Sequence, residues 1–266
     1  METVKLIRGD KTKMGGFSGK ITNAVNGEPI SGATLKLREG WNNSTEGEIL
    51  HTLTTDADGN FLYDTREVFG ITFGLKSGNY TLSVSKSGFT DSSINIIVLP
   101  NIVNGGQNAA ISPIMSEGNY RIILRWGNDM PSDLDSHYIA KTKDGSIEHV
   151  YYANDYESSA NLDWDDTYYE GPETITVTDF SNLENGFTYS VHNYSNRSDN
   201  NSDVLSRSGA YVTLCIGTTE IKKYYVPTDR IGTVWNVFSI DANGRITDLN
   251  TFENVYAPSS VGSQFY

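Results

Sequence analysis

The sequence predicts an all-β chain of two tandem antiparallel β-sandwich domains. Three observations point there. Turn residues recur throughout, with 25 Gly and many Asn, Asp and Ser between short apolar runs. Aromatic residues reach 11%, including 16 Tyr, a composition that suits strands. Apolar stripes at a 3.6-residue period are hard to find, whereas period-2 alternation is frequent. With 37% hydrophobic residues in 266, the chain has enough apolar content to build a core.

Residues 1–14 form a polar lead-in. The strand pattern starts at Gly15-Gly-Phe-Ser-Gly-Lys-Ile-Thr-Asn23 and turns at Asn26-Gly-Glu-Pro29. In Ile30–Arg38, Leu35 and Leu37 alternate with Lys36 and Arg38, as in a half-buried strand. Strands are expected next at Ile49–Thr55, Phe61–Tyr63, Tyr80–Lys86 and Ser93–Leu99. A small sandwich over 15–103 follows from this spacing. Residues 104–118 read as a linker.

A second register begins at Asn119–Trp126, where Tyr120, Ile122, Leu124 and Trp126 share a face. Strands follow at Glu173–Thr178, Phe187–Tyr194, Ala210–Ile216, Ile221–Val226 and Val234–Ile240. Asp241-Ala-Asn-Gly244 is a hairpin-type turn. The larger sandwich thus spans 119–250 and is the candidate binding domain. An irregular tail covers 251–266.

Five segments of the first half resemble the carboxypeptidase regulatory-like (prealbumin-like) domain. They are Gly19-Lys-Ile21, Pro29-Ile-Ser-Gly-Ala33, Thr55-Asp-Ala-Asp-Gly-Asn-Phe61, Leu75-Lys-Ser-Gly-Asn-Tyr80 and Lys86-Ser-Gly-Phe89. The resemblance implies an accessory or spacer domain without catalysis. Related pilin-type domains carry a Lys–Asn isopeptide bond with a catalytic Glu after the Gly-x-Tyr strand. Ser85 and Lys86 stand there instead, so no such bond is expected. The second half resembles an uncharacterised bacterial extracytoplasmic family. The resemblance rests on Leu124-Arg-Trp126 with Asp133-Leu-Asp-Ser-His137, then Leu162-Asp-Trp-Asp-Asp166 with Gly171-Pro-Glu173, then Tyr189-Ser-Val-His-Asn-Tyr194. It departs from that family at Ser136 and Tyr168-Tyr-Glu170, and it implies a fold and a setting rather than an activity.

The net charge of −13 makes nucleic acid and anionic membranes poor partners. Residues 1–112 hold 11 acids and 10 bases, whereas 113–250 hold 21 acids and 10 bases. From Asp144 through Asn196 there are 11 acids and no Lys or Arg. This run is either a solvated surface or a cation site, because clustered carboxylates repel one another unless protonated or metal-bound. With Glu173 nearby in sequence, Asp133 and Asp135 are two apart, so they share a face in an extended segment, and Asp163 and Asp165 repeat the pattern beside Asp166. Converged, these five aspartates suit Ca²⁺; the alternative is Asx-turn and strand-end residues satisfying local backbone donors. Zinc is not expected, His137 being the only nitrogen ligand close in sequence.

Tyr151, Tyr152, Tyr156, Trp164, Tyr168 and Tyr169 surround these acids. Aromatic faces flanked by carboxylates suit a glycan, and the alternative is core and rim aromatics. The expected partner is a polysaccharide or a host or surface protein. Trp126 and Trp235 read as structural, and Trp41 as a loop residue. The lone Cys215 excludes an intramolecular disulfide and reads as a small buried side chain. An enzyme is not expected, since no nucleophile elbow, zinc-protease motif, phosphate loop or Cys-x-x-Cys occurs. Asp56, Asp58, Asn60 and Glu67 imitate an EF-hand loop, but Phe61 stands where Gly is needed. Arg8-Gly-Asp10 is too short to carry weight. No 18-residue apolar stretch occurs. No signal peptide is visible, and Met1-Glu-Thr-Val-Lys5 reads as a boundary within a longer protein, so an extracellular or cell-surface setting is inferred.

Overall fold

The computed structural model describes residues 13–69, 71–127 and 129–266. Arg8-Gly-Asp10 and most of the polar lead-in lie outside them, as does the side chain of Glu67. The chain is all-β. It divides into two compact units, the first running through Asn23 and over Gly27–Ile114, the second made of Ala24–Asn26 and Met115–Tyr266.

The first unit contains β1 (Met14–Asn23), β2 (Thr34–Glu39), β3 (His51–Thr54), β4 (Asn60–Tyr63), β5 (Arg66–Val68), β6 (Ile71–Phe73), β7 (Leu75–Lys76), β8 (Gly78–Ser85), β9 (Ser92–Val98), β10 (Val103–Asn104) and β11 (Ala109–Ile111). One sheet runs β3-β2-β8-β9. The other gathers β4, β7, β10 and β11 around β1, with β10 and β11 parallel to it. Alternation decides which side chains meet: Leu35 and Leu37 of β2, Leu82 and Val84 of β8, and Ile94, Ile96 and Val98 of β9 all point into one core with Phe17 and Ile21. Gly19 is fixed by crowding, because a Cβ there would stand 2.2 Å from the carbonyl oxygen of Gln107. The Thr55 hydroxyl donates to Ile30 O at 2.6 Å and accepts from Ala33 N at 2.8 Å, tying two loops together in the interior. Asp56 Oδ1 accepts the N–H groups of Asp58 and Asn60, so this acid closes a turn.

Residues 104–111 are a correction to the linker expectation. Ala109 and Ile111 are buried in the first core, and β11 pairs with β1 over Ile21–Asn23. Gly105-Gly106 gives the stretch a linker-like composition, while two inward side chains are enough to hold it.

The second unit contains β12 (Tyr120–Arg125), β13 (Asp135–Thr142), β14 (Ile147–Val150), β15 (Ala160–Trp164), β16 (Glu173–Val177), β17 (Leu183–His192), β18 (Tyr211–Ile216), β19 (Thr219–Tyr225), β20 (Val234–Ile240) and β21 (Ile246–Glu253). Sheets β15-β16-β12-β18-β19 and β14-β13-β17-β20-β21 enclose a core in which Trp235, Tyr138, Tyr189, Phe238 and Ile122 are fully buried. Trp126 is also buried, Cys215 is 2% exposed, and Trp41 in the first unit is half-buried.

The segment expected to be irregular, 251–266, opens with the end of a strand. β21 continues to Glu253, and turns at Pro258–Ser260 and Ser263–Phe265 follow. These last residues cover the outer face of β13 and its neighbours. Val261 is fully buried, Gly262 fits so closely on Ile139 that a Cβ would meet its Cδ1 at 2.5 Å, and Val255 O contacts His192 Nε2 at 3.0 Å. β13 is therefore buried on both faces, and its sequence shows no simple alternation.

Candidate metal site and its aromatic rim

Four strand ends meet at one end of the second sandwich. Asp135 opens β13, and its cross-strand partner His192 closes β17. Glu173 opens β16, and Asp165 follows the last residue of β15. His137 lies two residues beyond Asp135, on the same face. Ligand atoms of Asp135, Asp165 and Glu173 all fall within 4.8 Å of one another, and so do those of Asp135, His137 and His192. Asp135 belongs to both groups.

Asp135 is 2% exposed, and Glu173, His137 and His192 are fully buried. Asp165 is exposed and opens the cluster to solvent. Glu173 Oε1 accepts the Ser136 N–H at 2.7 Å, which fixes the carboxylate across the two sheets. Its Oε2 has no hydrogen-bond partner, nor have Asp133 Oδ1, Asp135 Oδ2, His137 Nε2 or His192 Nδ1. Leaving one buried charge uncompensated costs about 3–5 kcal/mol. Several such atoms facing one another need a proton or a cation between them.

Protonation is pushed in the same sense. Burial, reinforced by Asp133 and Asp165, raises the Asp135 carboxyl to about 8. Burial and Asp135 hold Glu173 well above the usual carboxylate range. Asp133 rises to about 6 through burial and the charges of Asp165 and Asp166. Burial also lowers the imidazoles, His192 and His149 to about 4 and His137 well below its ordinary value. An acid that resists ionising beside a histidine that resists protonation is a pair that a metal ion resolves.

The five acids expected to converge do not all do so. Asp163 turns away: it accepts from the Thr176 hydroxyl and from Asn161 Nδ2 at 2.7 Å, and lies 3.8 Å from Arg121 Nε. The irregularity between Leu162 and Trp164 breaks the two-residue repeat that would have placed Asp163 and Asp165 on one face. Asp166 accepts the Tyr168 N–H at 3.0 Å and stays within electrostatic reach of Asp133. Asp133 is anchored through its backbone, its N–H donating to Ser195 Oγ at 3.0 Å. Glu173 takes the place expected of Asp163. His192 was not legible as a ligand, because only the β13–β17 register joins it to Asp135.

The aromatic residues divide into three sets. Tyr151 is stacked on His137 and His149, with centroids 5.3 and 4.5 Å away, and is part of the histidine cluster. Tyr152 is exposed, edge-on to Tyr151 and to Tyr194, which lies beneath the Arg197 guanidinium at 3.8 Å. Trp164, Tyr168 and Tyr169 lie on or beside the loop that carries Asp165; Trp164 and Tyr168 are exposed, and Tyr168 meets Tyr169 edge to face at 4.9 Å. That loop is held by Tyr169 N donating to Ser132 O at 2.8 Å and by Gly171, whose φ of +70° and closeness to Leu124 O exclude a side chain. Tyr156 is exposed and stands apart from these contacts.

No protein-family model and no curated protein matches the chain. Solved structures similar to it include SAV2460, a protein of unknown function, at 14% identity and a TM-score of 0.35, over 54% of this chain and 92% of that one. A candidate carbohydrate-binding protein from Bacteroides uniformis aligns at 10% identity and 0.27, over 88% and 98%. The major pilin SpaD of Corynebacterium diphtheriae aligns at 12% identity and 0.26, over 85% and 66%. All three scores lie below 0.5, and no chemistry is carried over from these proteins. Among the described residues no helix is long and apolar enough to cross a membrane.

Proposed function

We propose that the second sandwich is a non-catalytic, exported binding module whose loops are set by a hard divalent cation, Ca²⁺, and that the first sandwich serves as its spacer. The observation that carries this reading is the meeting of buried Asp135 and Glu173, each with an unpartnered oxygen, with exposed Asp165 within 4.8 Å, half-buried Asp133 adding its charge nearby. All are hard ligands, and the Arg197 guanidinium lowers the Asp133 and Asp135 carboxyls too little to offset their burial. Ca²⁺ bonds oxygen at 2.3–2.6 Å and accepts six to eight ligands, so groups up to about 5 Å apart can share one ion, with water completing the shell. Asp165 faces solvent, which leaves coordination positions on the open side.

The ligand that fits this side is a glycan. Sugar hydroxyls replace water on the cation, and C–H faces stack on Trp164 and Tyr168, whose exposure is 37% and 78%. A net charge of −13 opposes polyanionic ligands, so a neutral polysaccharide is preferred. Electrophoresis through polysaccharide-containing gels tests the reading. Retardation that needs CaCl₂ and is lost in Trp164→Ala, with the fold retained, is the expected result. If the protein binds Ca²⁺ but migrates freely in every neutral polysaccharide, the glycan reading fails and a structural module contacting protein takes its place.

A further inference from the structure

The nitrogen side of the cluster is not explained by a calcium ion, which prefers oxygen. Here strand geometry does what sequence spacing does not. Asp135 and His137 share a face of β13, and antiparallel pairing sets His192 of β17 opposite Asp135. His192 Nε2 lies 3.0 Å from Val255 O, a group that only accepts, so Nε2 carries the proton and Nδ1 presents a bare lone pair. That lone pair is fully buried and faces Asp135 Oδ2 at 3.9 Å, acceptor against acceptor. His137 Nδ1 is bonded to His149 Nε2 at 2.8 Å, while His137 Nε2 has no hydrogen-bond partner, whichever tautomer is drawn.

We propose that Asp135, His137 and His192 form a second metal site, a two-histidine, one-carboxylate set for a borderline divalent ion such as Zn²⁺, with Asp135 shared between it and the carboxylate site. A single proton between His192 and Asp135 satisfies those two atoms and leaves His137 Nε2 orphaned. A metal ion satisfies all three. Imidazole nitrogen with one carboxylate oxygen is a donor set that suits zinc, copper, iron and nickel over calcium. Tetrahedral zinc at about 2.0–2.1 Å from each ligand places ligand atoms roughly 3.4 Å apart. The 3.9 Å between Nδ1 and Oδ2 is within a small side-chain adjustment of that value.

The surroundings are those of a metal-binding histidine pair. The Val255 carbonyl fixes the His192 ring and its tautomer, and His149 engages the far nitrogen of His137 and holds its ring orientation. Tyr151 lies over both His137 and His149 at interplanar angles of 15° and 27°. This second site uses nitrogen atoms that the calcium reading does not, and it stands or falls separately.

Tag-free protein, stripped with EDTA and dialysed, is titrated with ZnCl₂ against a chromophoric chelator with CaCl₂ in excess. One Zn²⁺ per chain is expected. His192→Gln and His137→Gln each weaken it at least tenfold, and His149→Ala weakens it about 10–100-fold, the usual effect of removing an outer partner. The melting shift produced by CaCl₂ persists in His192→Gln, whereas Asp165→Asn loses that shift and keeps zinc. Should the histidine variants fail to fold, Cu²⁺ in the wild-type protein reports directly, its electron paramagnetic resonance showing coupling to two imidazole nitrogens. A stoichiometry well below one Zn²⁺ per chain, undiminished zinc affinity in folded His192→Gln, or a copper spectrum without nitrogen coupling overturns the proposal.

Discussion

Both sandwiches close on aliphatic and aromatic cores, but they differ in the polar side chains they bury. In the first unit the fully buried polar side chains, among the described residues, are hydroxyls: Thr55, Ser77, Thr81, Thr90 and Ser112. In the second, Arg121, Arg125, Asp135, His137, Glu148, Glu173 and His192 are all buried. A hydroxyl is uncharged and needs only one neighbouring carbonyl, as Thr55 has in Ile30, and Thr90, whose Oγ1 has no partner, leaves no charge buried. A buried charge costs several kcal/mol unless it is paired, so a fold that retains such groups holds them in a network or uses them. The second unit does both. Arg121 is paired with Asp163 and Thr176, and Glu148 accepts from the hydroxyls of Ser158 and Ser159. Asp135, Glu173, His137 and His192 keep unpartnered atoms, all at one end of the sandwich. The contrast places the unpartnered carboxylates and imidazoles in the second unit, as the proposed division into spacer and binding module requires.

The comparison is broken most forcefully by the core itself. Trp235→Ala removes a fully buried indole and is expected to cost about 3–5 kcal/mol in chemical denaturation, with or without metal. Glu148→Ala strips buried Ser159 and exposed Ser158 of their acceptor and is expected to cost about 1–3 kcal/mol, again with no change in the calcium-induced shift. Asp135→Asn is expected to behave in the opposite way. In EDTA it should be at least as stable as wild type, because an unpartnered buried carboxylate is replaced by a neutral amide. In CaCl₂ or ZnCl₂ it should gain nothing. A large loss of stability in EDTA would place Asp135 with the structural acids such as Asp163. The smallest effect concerns Cys215, whose thiol burial pushes up to about 12. It should resist thiol reagents in the folded protein and react only on unfolding.

Much of the scaffold was legible because its strands bury one face. Leu35 with Leu37 shows the period directly, and Tyr120, Ile122, Leu124 and Trp126 show it along β12 although Arg121, Ile123 and Arg125 between them are buried as well. The strands that build the site were not. β13 reads Asp-Ser-His-Tyr-Ile-Ala-Lys-Thr, polar and apolar mixed, because one face meets the core and the other lies under the final residues. The site was half-legible for the same reason. Asp133, Asp135 and Asp165 stand out as a local pattern, and Asp163 looked equivalent until an irregular residue in β15 turned it toward Arg121. Glu173 stood near Asp163–Asp166 in sequence, but its meeting with Asp135, like that of His192, comes through pairing between distant segments, which neither spacing nor composition encodes. Among the aromatics, Tyr151 belongs with the histidines, whereas Trp164 and Tyr168 remain exposed beside Asp165.

The central claim is that the acidic end of the second sandwich is a cation site. Thermal unfolding followed by tryptophan fluorescence tests it directly, because three of the four tryptophans, Trp126, Trp164 and Trp235, report on that unit. Compared with EDTA, CaCl₂ at a hundredfold excess over Kd should stabilise the protein by about 2.7 kcal/mol. Glu173→Gln and Asp165→Asn should abolish the gain, and Asp163→Asn, which alters a structural pair, should keep it. Identical midpoints in EDTA and in CaCl₂, or a gain that survives in both Glu173→Gln and Asp165→Asn, would contradict the account.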